Sequence, residues 1–363
     1  MTVAIDTKNL ALFTGGISAF VKPLIRRWLE ERPDLSFVLV GPDMDVDWLQ
    51  GLSNFKIKRV SWPTIFPRQL RHPLYDLILF PYALRQLKPN FIFTPYHDVL
   101  LPKGVPAVMM IHDTCILELR DIYPKPIYLY YNKMLRVNLK RAKNVLTVSN
   151  ASKIAIIKHY QVDENVIQIV PNSLDLPGEI RRSYQGEAKD SLSINLFYAG
   201  GADYRKNIKN LVKAVNELGK MGYEVSLKVT GSFNRYWERE LEGVDSSTVS
   251  KLNFLGFLST TELQKEYAEA DVVVYPSLCE GFGRVCLEAM AVGAALACSD
   301  LAVLKEVSGD YAVYFDPLNV KDIAEKIVVA KNRGRQQPVL KDEYKVSRVT
   351  ELFVETMDRF IHL

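Results

Sequence analysis

The stretch DVVVYPSLCEGFGRVCLEAMAVG, Asp271–Gly293, reads in order as a strand, a turn and a helix. Its first residues are apolar and β-branched, as a strand covered on both faces requires. CEGFG is the turn, and RVCLEAMAVG predicts a helix closed by Gly293. Glu280 therefore falls on a loop at the carboxyl end of a strand, and Glu288 about a turn into the helix beyond. Gly281 and Gly283 let the backbone bend tightly and approach a ligand closely. The helix start they introduce favours negative charge.

Outward from this unit the same alternation runs nearly end to end. Before it come TVAID, SFVLVG, FKIKRV, NFIFTP, PAVMMIH, NVLTVS and VIQIVP, with amphipathic segments between most of them. The segment DLPGEIRRSYQGEAKDSLS is polar and without apolar periodicity, so it reads as a linker. The rhythm then restarts with INLFYAG, VSLKVTG, LNFLG, DVVVYPS, AALACS and YAVYF. Parallel sheets covered by helices follow from this pattern. We expect two Rossmann-like domains, residues 1–172 and 191–340, joined by a linker at 173–190, with the terminal helix of 341–363 crossing back to the first domain. In such sheets ligands bind beyond the carboxyl ends of strands, and two domains facing each other make a cleft.

Composition agrees with two globular domains. The 363 residues are 48% hydrophobic and 24% charged, which supplies packed interiors and bears no mark of disorder. No apolar run is long enough to span a bilayer, and the start MTVAIDTKNLALF lacks a secretory plan. Cys115, Cys279, Cys286 and Cys298 have no CxxC or metal-finger spacing and read as reduced thiols of a cytoplasmic protein.

The net charge of +4 hides an asymmetry, +8 up to Asn172 and −4 after it. Residues 51–150 hold 15 basic residues against 5 acidic ones. This is either a solvated surface or a site for an anionic partner, a membrane or a phosphorylated lipid. The helix ISAFVKPLIRRWLEE, with Lys22, Arg26 and Arg27 near Phe20, Leu24 and Trp28, fits a peripheral protein on the inner face of the cytoplasmic membrane, and fits packing on the sheet equally well. Nucleic acid is not expected, since the basic residues are scattered and carry no nucleic-acid-binding motif.

Carboxylates accept hydrogen bonds from sugar hydroxyls. Taken singly, Glu280 reads as a surface residue and Glu288 as a helix position paired with a base. Together in a glycine-bracketed loop they point to a binding site. In AGGADYRKN, Arg205 and Lys206 open a helix, and two cations beside free helix amides suit a diphosphate. The paired glycine of TGGISAF places Thr14, Gly15 and Gly16 at another helix start without the GxGxxG spacing of a dinucleotide site. His112 and Asp113 follow the strand PAVMMI at its carboxyl end, and His97 and Asp98 repeat the dipeptide one strand earlier as acceptor-side candidates.

YPSLCEGFGRVCLEAMAVGAALACSD resembles the signature of the retaining glycosyltransferases of family 4, and the similarity extends through AGGADYRKNIKNLVKAV, NFLGFLSTTELQKEYAEADVVVYPS and LAVLKEVSGDYAVYFDP. It is weaker in the first half, resting on TGGISAF, MIHD and TVSNASK. The resemblance implies an α/β GT-B fold of two facing Rossmann-like domains with a cleft between them. It implies Glu288 on the nucleotide ribose, Glu280 near hydroxyls of the transferred sugar, and Gly16 near the donor phosphates. Arg205, Lys206, Gly281, Phe282 and Gly283 complete the donor site, and His112 lies beside the sugar with Lys206 and Glu280 as the catalytic group. Two departures stand out: Gly201 occupies the place where many relatives have an arginine, and Arg284 one where they often have an aliphatic residue.

The reaction implied is transfer of a sugar with retention, from a nucleotide-sugar to a glycan or lipid-linked acceptor in surface polysaccharide biosynthesis, lipopolysaccharide included. No cofactor and no metal are expected, since no DxD-type pair lies in a plausible loop. The RKN form resembles bacterial polysaccharide mannosyltransferases and favours GDP-mannose, with UDP-sugars open. A nucleotide-sugar epimerase of the same fold and a non-catalytic binding subunit are the alternatives.

Overall fold

In the computed structural model, which describes residues 1–12, 15–174, 192–201 and 203–362, every apolar run read as a strand forms one. The first seven are β1 (Thr2–Asp6), β2 (Ser36–Gly41), β3 (Phe55–Arg59), β4 (Phe91–Thr94), β5 (Ala107–Ile111), β6 (Asn144–Thr147) and β7 (Ile167–Ile169). They make one parallel sheet in the order β3-β2-β1-β4-β5-β6-β7. The next six are β8 (Ser193–Tyr198), β9 (Glu224–Val229), β10 (Leu252–Phe254), β11 (Val272–Tyr275), β12 (Leu296–Ser299) and β13 (Val313–Phe315). Their sheet, also parallel, runs β10-β9-β8-β11-β12-β13.

Strand composition explains the layering. β4, β5, β6, β11 and β12 are buried at every residue, which only helices on both faces achieve. In each sheet the chain grows outward from its first strand, then returns to the other side of it. That reversal, between β1 and β4 and again between β8 and β11, is where doubly wound sheets open beyond their carboxyl ends.

The chain divides into two units, Met1–Ser173 with Asp342–Leu363, and Leu174–Lys341. The linker expectation falls almost entirely on residues 175–191, outside the described ones. The helix Val346–His362 belongs to the first unit and packs on the helix Gly16–Glu31, with Phe353 against Trp28 and Phe93 at ring distances of 5.8 and 5.4 Å.

That packing changes the reading of ISAFVKPLIRRWLEE as a membrane element. Phe20, Val21, Leu24, Ile25, Trp28 and Leu29 are all buried inside the unit. Its arginines are paired along the helix, Arg26 with Glu30 at 2.8 Å and Arg27 with Glu31, and Lys22 lies over the Trp48 ring. The periodicity marks an apolar face, and the protein itself covers that face.

Of the four cysteines, Cys286 and Cys298 are free and buried. The reading of reduced thiols holds for these two.

Candidate functional site in the second unit

The residues singled out in the second unit gather at the carboxyl ends of β8 and β11. The chain leaves β8 through Gly200 and Gly201, and Asp203 then accepts from the Arg205 amide through its side chain at 3.0 Å. This holds Tyr204–Lys206 in a single 3-10 turn. Arg205 and Lys206 thus precede the helix instead of opening it. Asn207, with φ of 55°, turns the chain into the helix Ile208–Lys220 and donates its side-chain amide to the carbonyls of Pro276 and Pro317 at 3.0 and 2.7 Å. Leu278 donates its amide to the Arg205 carbonyl at 2.7 Å, so the two loops are tied together.

Glu280 lies within this arrangement. Its two oxygens are occupied by cations, one by Lys206 at 2.6 Å and the other by Arg205 at 3.1 Å. The same ammonium donates to the Tyr275 hydroxyl at 2.7 Å. Burial opposes a charge on Glu280, but Lys206 and Arg205 outweigh it and hold the carboxyl down at about 2. Burial and the neighbouring Arg205 lower the Lys206 ammonium, while Glu280 works the other way. Arg205 also lies 3.9 Å from the half-buried Asp203 carboxylate, so two cations and two carboxylates gather here, with Glu280 the buried one. The sequence reading gave Glu280 to sugar hydroxyls; in the structure its oxygens organise the cations.

Glu288 heads a second group. One oxygen accepts from the Tyr267 hydroxyl at 2.7 Å, the other from the Arg284 side chain at 2.9 Å, one helical turn earlier. The helix Arg284–Ala291 begins after Gly283, whose φ of 96° excludes most side chains and where a Cβ would meet Leu304 at 2.4 Å. Its cap is glycine, which has no side chain to accept from the first amides. Gly293, also at positive φ, closes it, with the Ala294 amide reaching the Ala289 carbonyl at 3.0 Å. Gly281 and Phe282 are buried between the two groups in sequence.

Gly16 and His112 lie in the first unit. Gly16 is exposed as the first residue of its helix, and Thr14 is outside the described residues. His112 is buried between Phe20 and Tyr96, with ring distances of 6.2 and 5.5 Å. Its Nε2 lies 2.8 Å from the Pro95 carbonyl. A carbonyl only accepts, so Nε2 carries the hydrogen and Nδ1 the lone pair. Burial drives its pKa down to about 4, so the ring is neutral at pH 7.

The sequence reading passed over Tyr267 and Tyr275, whose hydroxyls complete both glutamate groups. It also passed over a buried cluster at the equivalent place in the first unit, the ends of β1 and β4. Lys8 bonds Asp76 at 2.6 Å and Asp98 at 2.5 Å, with Asp6 close by. His97 and Asp98, its acceptor-side candidates, are next to each other in that loop. Desolvation pushes Asp6 and Asp76 up to about 7, whereas Asp98, which burial alone would raise, is held low by Lys8.

Comparison with known proteins shows the family. The family model for glycosyl transferases group 1 matches residues 181–338, and that for glycosyltransferase family 4 matches residues 14–176. The chain belongs to this glycosyltransferase family. O-antigen chain mannosyltransferase B of Escherichia coli is 32% identical over 267 residues, covering 68% of this chain and 66% of that protein. O-antigen chain mannosyltransferase RfbU of Salmonella typhimurium is 30% identical over 229 residues, covering 63% and 61%. The matched region therefore spans somewhat under two thirds of each relative's length. Sucrose-phosphate synthase of Thermosynechococcus elongatus superposes with a TM-score of 0.71 over 100% of this chain and 98% of that one, at 16% identity. That likeness concerns the fold, GT-B with two parallel-sheet α/β domains.

Proposed function

We propose that this protein transfers a sugar, mannose in the favoured reading, from a nucleotide-sugar to a glycan or lipid-linked acceptor in surface polysaccharide biosynthesis. The observation that carries the proposal is the pair of cations, Arg205 and Lys206, held on Glu280 at the switch point of the second sheet. Two cations fixed side by side in a largely buried place suit a leaving diphosphate, because the donors are oriented before charge develops. The Glu288 group, with its two hydrogen-bonding neighbours, suits the ribose. GDP-mannose is the favoured donor, with a UDP-sugar as the alternative, in keeping with the mannosyltransferase names of the two relatives.

In this reading the anomeric carbon–phosphate oxygen bond breaks as the acceptor oxygen bonds on the same face. The acceptor proton passes to the departing phosphate, and the configuration is retained. Neutral His112, its Nε2 hydrogen committed to Pro95, offers a lone pair at Nδ1 and a backbone carbonyl to the sugar, and no proton. No metal is required, since Arg205 and Lys206 supply the positive charge. The enzyme works at the cytoplasmic face of the membrane. Among the described residues no helix is long and apolar enough to cross one.

Thermal shift over a panel of nucleotide-sugars tests donor binding, because a ligand that binds only the folded state raises its stability with occupancy. GDP-mannose is expected to give the largest rise. Product analysis then separates transfer from epimerisation, with turnover expected to survive EDTA. No shift with any nucleotide-sugar would overturn the reading, and an epimerised donor with no transfer product would replace it.

A further inference from the structure

The first unit has a second apolar face, and this one is not covered by the unit. The helix Arg68–Leu74 continues through a wide turn, Tyr75–Leu79, into the helix Phe80–Leu87. Tyr75, Asp76, Phe80, Ala83 and Leu84 are buried. Leu70, Leu74, Ile78 and Tyr82 follow at four-residue steps and so form a neighbouring stripe. Leu70, Ile78 and Tyr82 are 53, 57 and 59% exposed. The loop before the helix adds Ile65, at 89%, and Phe66. It is fixed there by Arg71, which donates to the carbonyls of Phe66 and Thr64 at 2.9 and 2.8 Å.

The charge of this face is as one-sided as its polarity. From Pro63 to Lys88 the chain carries Arg68, Arg71, Arg85 and Lys88, and its one acidic residue is Asp76. That carboxylate is buried on Lys8 and offers nothing outward. Clustered large apolar groups in water usually mark a binding surface. A segment whose basic residues face no outward carboxylate of its own favours an anionic occupant.

We propose that this face docks the protein on an anionic bilayer, with Leu70, Ile78 and Tyr82 entering the headgroup boundary and the exposed Arg85 and Lys88 meeting lipid phosphates. The face is also tied to the edge of the sheet where an acceptor would bind. The Asp76 carbonyl accepts from Leu100 at 3.0 Å, and its carboxylate accepts from Tyr130 at 3.0 Å and pairs with Lys8, which also holds Asp98. The proposal deepens the reading of the acceptor as lipid-linked and rests on that reading for its purpose, though its binding test does not.

Flotation of the full chain with vesicles of phosphatidylcholine alone, and of phosphatidylcholine with phosphatidylglycerol, tests it. The protein is expected to float with the anionic vesicles only, and less as salt is raised. Leu70→Glu with Ile78→Glu, both at exposed positions, should lower anionic-vesicle affinity at least tenfold while keeping the parent's melting temperature. Tyr82→Ser provides the same test if that pair unfolds. Arg27→Glu, on the covered helix Gly16–Glu31, should leave flotation unchanged.

Equal flotation on both vesicle types, or full binding by the folded face variants, would overturn the proposal. So would a parent dimer that the face variants turn into monomers without vesicles, since a second copy would then be the occupant. Thermal shift with GDP-mannose keeps the two readings apart. Flotation without any nucleotide-sugar shift would sink the transferase reading and leave the docking face standing.

Discussion

Each unit places a buried lysine after its first strand against a carboxylate in the loop after the strand beside it: Lys8 with Asp98 at 2.5 Å, and Lys206 with Glu280 at 2.6 Å. The surroundings of the two pairs differ. Around Lys8 stand two more carboxylates, Asp76 and Asp6, which desolvation raises to about 7. Around Glu280 stands a further cation, Arg205, which also lies 3.9 Å from the half-buried Asp203. The first cluster is short of cations, and the second sets two cations against two carboxylates. One topology thus serves as an internal brace in the first unit and as a candidate anion site in the second.

The largest expected effect comes from removing the brace. Lys8→Met would leave three buried carboxylates without their cation, and breaking a buried pair this way costs about 3–5 kcal/mol. Chemical denaturation checks it, and a loss below about 1 kcal/mol would break the comparison, since such a loss is typical of an exposed pair. Lys206→Ala should be milder for folding, because Glu280 keeps Arg205, and severe for turnover. If it resembles loss of one oxyanion donor, kcat falls by about 2.7–4 kcal/mol, roughly a hundred- to a thousandfold.

Glu288→Ala sharpens the contrast within the second unit. It strips Tyr267 and Arg284 of their shared acceptor and removes the ribose partner, so donor KM should rise more than kcat falls. The cost would be about 1.5–3 kcal/mol, the range for hydrogen bonds to a charged group. Steady-state kinetics on folded variants decides, and a kcat loss with unchanged KM would move Glu288 to the reacting centre.

The smallest effect is on pH dependence. Asp6 and Asp76 have folded pKa values above their ordinary 3.8, so the stability they contribute is complete below that pH and is lost as pH rises to about 7. Glu280 runs the other way. Its contribution is present above its ordinary 4.5 and is lost as pH falls toward about 2. Buried His112 opposes Asp6 and Asp76 in this window, since its pKa is lowered to about 4 and its contribution falls as pH drops through its ordinary 6.5. Asp76→Asn isolates the carboxylate part: by chemical denaturation the variant should gain less stability from pH 7 to pH 5 than the parent, and an equal change in both would break the assignment.

The thirteen strands were legible because each is a short apolar run bounded by turn residues, a signal local to a few positions. The glutamates and the cations were singled out by motif and family similarity, and the fold does bring Arg205, Lys206 and Glu280 together. Their pairing was not. Lys206 and Glu280 are 74 residues apart, and Lys8 lies 68 and 90 residues from its two partners, so each looks like a lone polar residue until the fold joins them. Tyr267 and Tyr275 read as core aromatics because burial hides a hydroxyl's partner. The helix Gly16–Glu31 left two readings open for a related reason. Periodicity reveals an apolar face, and only the fold reveals what covers it.

The helix Val346–His362 bears on how this protein is made. Phe353, fully buried, completes a core with Trp28 and Phe93, and Arg32 holds Asp358 at 2.5 Å across 326 residues of chain. A ribosome delivers those partners only after the whole of the second unit has been synthesised. During translation the second unit can therefore finish folding before the first. The nascent first unit must wait with Trp28 and Phe93 uncovered, a long interval in which a chaperone could engage it.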